Sequence, residues 1–279
     1  MTISRGTLFQ FFKYLVYAFL AMNIYWFFGE EYLAAKLLYP NGVGLLDIIG
    51  GYNATIDTAA WVVLLLMFEL ETYVLNDEHF TRPVAWSLHG LRVICYTFIV
   101  YAFYGYVTTL ASVEAVSPMP GVTDLCQLVG QQWSYSVDFE EYTAITAANC
   151  GTFSTATEFL QFDDARAVVD AAGHVAIIGL AWIDVINAAV WLLIVVILEV
   201  DVRLQEHNLY EGWALRSSSM LKVILYSALL YAAIYWGIKG DFVDFWDAFL
   251  WLVAFVFIEL NIFEWREETK EELIQDLNS

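Results

Sequence analysis

The sequence is poor in charged residues, in proline and in cysteine. Charged residues make up only 16% of its 279 residues, and it contains 4 prolines and 3 cysteines. Hydrophobic residues make up 60%, and aromatic residues 17%. Soluble domains carry more charge and less apolar surface than this. The composition therefore indicates a membrane protein rather than a soluble one.

Motifs for common catalytic chemistries are also missing. The sequence has no P-loop, no G-x-S-x-G and no H-E-x-x-H motif. Its 4 histidines are scattered, and His89 and His174 are predicted near opposite ends of their spans, so they cannot ligate one haem. We therefore expect no enzymatic activity and predict no cofactor, although a bound lipid is compatible with the sequence.

Six long apolar runs dominate the chain. A helix of about 20 residues crosses a hydrocarbon core of roughly 30 Å, and each run approaches that length. The runs lie near residues 8–28, 54–74, 86–111, 174–200, 219–238 and 244–264. The predicted fold class is an all-α integral membrane protein with six transmembrane helices.

Basic residues are distributed unevenly around these runs. Lys36, Arg166 and Lys239 are the only ones on one predicted side, and the other nine lie at the two termini, in the 75–85 and 201–218 connections or at adjoining helix ends. Cytoplasmic loops carry an excess of Lys and Arg. We therefore expect a multi-pass protein of the cell membrane, embedded in the lipid bilayer, with both termini in the cytoplasm.

A motif of polar and aromatic residues occurs three times, each time in the second half of a hairpin and within an apolar run. The three copies are Asp57-x3-Trp61-x7-Glu69-Leu-Glu71, Asn187-x3-Trp191-x7-Glu199-Val-Asp201 and Asp247-x3-Trp251-x7-Glu259-Leu-Asn261. The preceding runs share a second signature, a basic residue followed four positions later by tyrosine: Lys13 and Tyr17, Arg92 and Tyr96, Lys222 and Tyr226. The repeat predicts three pseudo-equivalent antiparallel hairpins, at residues 1–80, 81–212 and 213–279, the last ending in a short acidic cytoplasmic tail.

The depth of the repeated residues predicts ion pairs inside the membrane. Asp57 and Glu69 are twelve residues apart, or about 18 Å along a helix. With Asp57, Asn187 and Asp247 as an outer polar ring, the glutamates lie within the inner leaflet, near the level of the basic residues. Because buried charges persist by pairing, we expect the pairs Lys13–Glu69, Arg92–Glu199 and Lys222–Glu259, with Tyr17, Tyr96 and Tyr226 as further hydrogen-bond partners.

The same carboxylates also allow a functional interpretation. Glu69, Glu199 and Glu259 could converge on a pseudo-threefold axis and form a cation or proton site. A second polar position, occupied by Glu71, Asp201 and Asn261, lies about 200° further around each helix and must face a different neighbour. Its oxygen-bearing side chains suit hard cations, and they equally suit solvation at the headgroup level.

The connection within the second hairpin, residues 113–172, is long and acidic. It contains nine Asp and Glu residues against the single Arg166, which disfavours nucleic acid as a partner and attracts cations. Cys126 and Cys150 both fall here, and in an oxidising outer compartment we expect them to form a disulfide. A loop of this length with its own disulfide predicts a small subdomain or a docking surface.

Two functions follow as expectations. The first is a cation or proton channel or transporter that uses the repeated carboxylates. The second is a non-catalytic structural or accessory subunit of a larger membrane complex, which docks other membrane subunits, or a second copy of itself, through the 113–172 insertion.

Overall fold

A computed structural model describes most of the chain. The described residues are 5–38, 44, 48, 51–71, 81–138, 141–154, 156, 158–163, 165–206, 212–239 and 241–257. Two compact units divide it. Unit 1 comprises residues 1–23 and 219–279, and unit 2 comprises residues 24–218. This division differs from the three predicted hairpins, which stay a prediction.

Long helices account for most of the described chain. They are α1 (Arg5–Leu38), α2 (Asn53–Glu69), α3 (Arg82–Glu114), α5 (Ala171–Glu206), α6 (Trp213–Lys239) and α7 (242–257). Within the described residues, four helices contain a segment long and apolar enough to cross a membrane: Leu8–Leu37, Arg82–Glu114, Ala171–Asp201 and Leu215–Lys239. These four indicate a membrane-embedded protein. The predicted count of six spans is not confirmed, because the second and sixth predicted runs, 54–74 and 244–264, end outside the described residues.

In unit 2, α3 packs against both α2 and α5. Its buried residues recur every three to four positions, as Cys95, Ile99 and Ala102 illustrate, which is the spacing of one helix face. Gly105 continues this face, and a Cβ there would overlap the side chain of Asn53 on α2. Only a residue without a side chain therefore allows α2 and α3 to approach this closely.

The predicted all-α fold class is wrong, because the 113–172 insertion contains a β-sheet. We call residues 115–170 the insertion subdomain. Its sheet has five strands in the order β1-β4-β5-β2-β3: β1 (Val116–Pro118), β2 (Ser134–Ser136), β3 (Tyr142–Ala144), β4 (Phe159–Phe162) and β5 (Ala167–Asp170). β2 and β5 are parallel and the other neighbours are antiparallel. A short helix, α4 (Cys150–Phe153), and a 3₁₀ turn (Leu125–Leu128) complete it.

A small apolar core and one disulfide hold the subdomain together. Leu125, Leu128, Phe159 and Val168 are buried in a common cluster. The predicted disulfide between Cys126 and Cys150 is confirmed, and it joins the 3₁₀ turn to α4. Both elements are single turns with little packing area, so the covalent link supplies stability that a core of this size lacks.

The subdomain continues into the membrane helix α5 without a linker. Asp170 ends β5, and its Oδ1 accepts a hydrogen bond of 2.7 Å from the backbone N–H of Gly173 in the first turn of α5, which makes Asp170 the N-cap. Its Oδ2 accepts a hydrogen bond of 3.1 Å from the Tyr135 hydroxyl on β2. Burial, and then the nearby Asp170 carboxylate, raises the pKa of Tyr135 to about 12. The hydroxyl therefore stays protonated and keeps donating at neutral pH.

Replacing Asp170 by alanine is expected to destabilise this junction by about 1–2 kcal/mol, the usual cost of losing an N-cap. Hydrogen exchange should rise in the first turn of α5 and leave the middle of that helix unchanged. Asp170→Asn is the matched control, since asparagine also caps helices and should restore most of the protection. An unchanged exchange rate in Asp170→Ala would show that the cap carries no stability.

Candidate functional site

The predicted ion pair between Arg92 and Glu199 is wrong. Arg92 on α3 donates to Glu71 Oε2 at 2.6 Å, and not to Glu199 as expected. Glu71 follows α2 in a wider π-helical turn, and α2 packs directly on α3, so Glu71 is brought to Arg92. Glu199 is exposed and instead accepts a hydrogen bond of 3.0 Å from Arg203, one turn along α5. A pair four residues apart needs no tertiary contact.

The remaining inner carboxylates lie in different surroundings. Asp201, 2% exposed, accepts a hydrogen bond of 2.7 Å from the Ser218 hydroxyl at the start of α6. Glu69 and Lys13 are buried at 5% and 2% exposure, and their pairing stays a prediction. Glu259 and Asn261 lie outside the described residues, so the pair Lys222–Glu259 and the third copy of the second polar position stay predictions too.

The three signature tyrosines differ in burial. Tyr17 is 5% exposed, whereas Tyr96 is 36% exposed and Tyr226 is intermediate. Tyr96 lies one turn after Arg92 on α3. It is close enough to Arg92, Glu71 and Glu199 to interact with them electrostatically. The expectation that these tyrosines serve the ion pairs stays a prediction.

The predicted outer polar ring contains buried amide oxygens. In unit 2, Asn187 Oδ1 is buried and accepts no hydrogen bond from any described residue. In unit 1, Asp247 Oδ1 accepts a hydrogen bond of 2.7 Å from Asn23 Nδ2, and the Trp251 side chain also donates to this carboxylate. Asp57 is partly exposed. The members of the ring therefore differ, since Asn187 Oδ1 accepts no hydrogen bond from a described residue whereas Asp247 accepts two.

The repeated tryptophans of the first two copies meet in unit 2. The ring centroids of Trp61 and Trp191 are 6.1 Å apart with the planes tilted by 55°, a favourable geometry for aromatic pairs. Both side chains are largely buried. The residues therefore serve packing between α2 and α5.

One buried carboxylate was not among the predicted site residues. Glu31 on α1, 6% exposed, accepts hydrogen bonds from the backbone N–H groups of Ala54 at 2.8 Å and Thr55 at 3.2 Å, and from the Thr55 hydroxyl. These groups form the first turn of α2, whose N–H groups lack partners within the helix. Glu31 therefore caps a neighbouring helix and stabilises its N-terminal dipole. It stands outside the threefold repeat, so the repeat could not signal it.

The insertion subdomain has two sheet edges with different chemistry. At the end of β1 the Met119 N–H donates to Phe159 O, so the backbone groups of Met119 point towards β4. Because this direction alternates along a strand, the backbone groups of Val116 and Pro118 point away from the sheet. In β3 the hydrogen bond from Ile145 N to Trp133 O fixes the same alternation, so Ala144 presents its N–H to the outer side. Pro118 has no N–H to present, whereas the β3 edge keeps that of Ala144.

An open cleft lies next to the β3 edge. Its volume is about 470 Å³, and residues from the end of α1 form one wall and residues around β2 and β3 form the other. The lining residues are Lys36, Leu37, Val129, Gly130, Gln132, Trp133, Ser134, Ala144, Ile145, Thr146 and Ala147. Gln132 has a φ of 59°, a conformation that costs energy in a residue with a side chain. The cleft is thus lined by mixed apolar and polar groups, and Lys36 is the charged residue among them.

No metal centre is evident in the described part of the chain. Among those residues, no three His, Cys, Asp or Glu side chains are grouped closely enough to hold an ion. Comparison of the chain with protein-family models, with curated proteins and with solved structures gave no match.

Proposed function

We propose that the protein is a non-catalytic membrane subunit that docks a partner protein on its insertion subdomain. The observation that carries the proposal is the difference between the two edges of the sheet, together with the cleft beside the open one. Proteins block edge strands that must not pair, and proline is one of the residues that they use. Here the β1 edge carries Pro118 and the β3 edge does not.

The occupant that fits is an extended segment of another protein. Added to β3 as a further strand, such a segment would pair its backbone with the outward N–H of Ala144. Ala144 also lines the cleft, so a side chain of the docked strand would enter it beside Leu37 and Trp133. The carbonyl of Ala144 already accepts a hydrogen bond of 2.9 Å from Asn149 Nδ2, which orients this edge.

The charge of the insertion specifies the partner further. Its nine acidic residues against one Arg produce a negative field that accelerates association with basic surfaces. We therefore propose a docking segment that carries Lys or Arg on its solvent-facing positions. Lys36, which lines the cleft, would donate to a backbone carbonyl of the same segment.

The membrane carboxylates support this function over transport. Glu71, Glu199 and Asp201 each contact a partner from the same helix or a neighbouring one. The ion pairs of Glu71 and Glu199 match the requirement that charge in a membrane be compensated, and the hydroxyl of Ser218 gives Asp201 a hydrogen-bond donor. Cation or proton transport through Glu69, Glu199 and Glu259 therefore remains the second candidate.

A single substitution at the open edge tests the proposal. Ala144→Pro removes the outward N–H and leaves the β2–β3 hydrogen bonds intact, because those involve Tyr135, Thr143 and Ile145. With a photo-cross-linking residue at the exposed position 146, native membranes should yield one discrete cross-linked partner, identified by mass spectrometry. We expect Ala144→Pro to reduce this adduct by about tenfold or more, equivalent to a loss of about 1.4 kcal/mol or more.

The matched control is Val116→Pro, which places the same residue at the outward position of the edge that already contains Pro118. This variant should keep the adduct. The proposal is wrong if the adduct persists in Ala144→Pro, or if both proline variants lose it together. Retention of the Cys126–Cys150 disulfide on a non-reducing gel confirms that each variant folds.

A further inference from the structure

We propose that Asn23 and Asp247 form a binding site for a sodium ion within unit 1. The site is independent of the docking function, since both residues belong to unit 1 and the insertion subdomain belongs to unit 2. Three features support the site. The amide oxygen of Asn23 accepts no hydrogen bond from a described residue, the Asp247 carboxylate is contacted by neutral donors, and further carboxylates precede Asp247 along α7.

The first feature is the carbonyl oxygen of Asn23. Asn23 is 0% exposed, and its Oδ1 accepts no hydrogen bond from any residue in the described ranges. A buried acceptor without a partner costs free energy and calls for a bound ligand or water. Exchanging the two amide atoms does not remove the problem, because it would place Oδ1 against the Asp247 carboxylate, acceptor against acceptor.

The position of this oxygen follows from its amide group. The nitrogen and oxygen of one amide are about 2.3 Å apart, and the Asn23 nitrogen lies 2.7 Å from Asp247 Oδ1. Asn23 Oδ1 must therefore lie within about 5 Å of that carboxylate oxygen. Oxygens at this separation can bind one ion placed between them, at the distances of 2.3–2.6 Å, roughly, that hard cations take.

The second feature is the charge of Asp247. The described groups that donate to it are the Asn23 amide and the Trp251 indole, and both are neutral. A carboxylate held among neutral groups in an apolar environment lacks the counter-charge that stabilises buried ions. One carboxylate and one amide oxygen balance a monovalent cation. Calcium and magnesium require more oxygen ligands or more carboxylates.

The third feature is a row of carboxylates along α7. Asp241 precedes the helix, and its Oδ1 accepts a hydrogen bond of 3.3 Å from Asp244 N. Asp244 and Asp247 are three residues apart, so they lie about 4.5 Å apart along the helix and about 60° apart around it, and Asp241 lies three residues before Asp244. Such a row concentrates cations at the end of α7 and leads them towards Asp247.

Thermal unfolding of the full-length protein in neutral-lipid nanodiscs tests the site. Sodium chloride is titrated against choline chloride at constant ionic strength. Because an ion that binds only the folded state raises its stability, the Tm should rise with sodium in a saturable manner. Asp247→Asn should abolish the rise, and binding of radioactive sodium should fall by about tenfold or more, as expected when a charged ligand is lost. Glu114→Gln, which removes an exposed carboxylate at the end of α3 in unit 2, is the control and should respond like the unmodified protein.

Asn23→Ser provides a second variant that does not depend on the folding of Asp247→Asn. Serine keeps a hydroxyl donor near the carboxylate but removes the amide carbonyl, so sodium binding should weaken while the protein stays folded. Equal Tm values in sodium and choline for the unmodified protein would overturn the proposal, because a site filled by water alone gives that result. A sodium response retained in both variants would overturn it as well.

Discussion

Replacing Glu31 by alanine is expected to cost about 3–5 kcal/mol of stability, because it removes the cap of a helix in a buried environment. The backbone N–H groups of Ala54 and Thr55 would lose their acceptor. Each unsatisfied buried donor costs roughly 1–3 kcal/mol. The effect should be concentrated in the first turn of α2, where hydrogen exchange should rise most.

Two further variants separate this role from a general loss of charge. Glu31→Gln keeps one acceptor oxygen and should lose about half as much stability, since the amide nitrogen cannot accept a hydrogen bond. Glu30→Ala removes the neighbouring exposed carboxylate and should change stability by less than about 0.5 kcal/mol. Equal losses for Glu30→Ala and Glu31→Ala would contradict the capping role.

Removing the disulfide is expected to unfold the insertion subdomain while the membrane helices persist. The bond closes a loop with a sequence separation of 24, and loops of this size contribute about 3 kcal/mol in the chain-entropy model. The subdomain has strands of three or four residues and a small core, so this is a large share of its stability. Cys126→Ser combined with Cys150→Ala should therefore make residues 115–170 sensitive to limited proteolysis.

Cys95→Ala is the matched control for this experiment. Cys95 is buried in α3 and is free, so its replacement should leave the subdomain resistant to protease. Reductant should reproduce the effect of the double variant in the unmodified protein and leave the double variant unchanged. A double variant as resistant as the unmodified protein would show that the core alone stabilises the fold.

Docking should also depend on the disulfide if the proposed function is correct. The β3 edge and most residues that line the cleft lie in the insertion subdomain, which the disulfide stabilises. The sodium response should survive in the double variant, since Asn23 and Asp247 lie in unit 1. The two proposals therefore fail independently of each other.

The helices and the disulfide could be predicted from the sequence because their signals are local or few. A long apolar run in lipid is expected to form a helix, because a helix satisfies its own backbone hydrogen bonds. Two cysteines in one predicted outer segment leave a single pairing. The helices extend further than the predicted spans, as α1 does from Arg5 to Leu38, and Glu31 in the extended part of α1 contacts α2.

The sheet could not be predicted in the same way. β1, β2 and β3 contain three residues each, which is too short for a period of two to be recognised. Their order follows from pairings between distant residues, such as Tyr135 with Val168. The acidic composition of the segment indicates a solvated region and carries no information on strand register.

The sequence by itself determined that this chain carries long apolar helices, repeated polar residues within them and a disulfide-bearing insertion. Tertiary structure alone decided the partners of Arg92 and Glu31. Arg92 contacts Glu71 and not Glu199, and Glu31 caps a helix that begins 22 residues later in the chain. The physical reason is that a carboxylate in lipid must find a donor or a cation, and the sequence contains several for each carboxylate. Which of them it meets depends on which helices pack together, and that is a property of the folded chain.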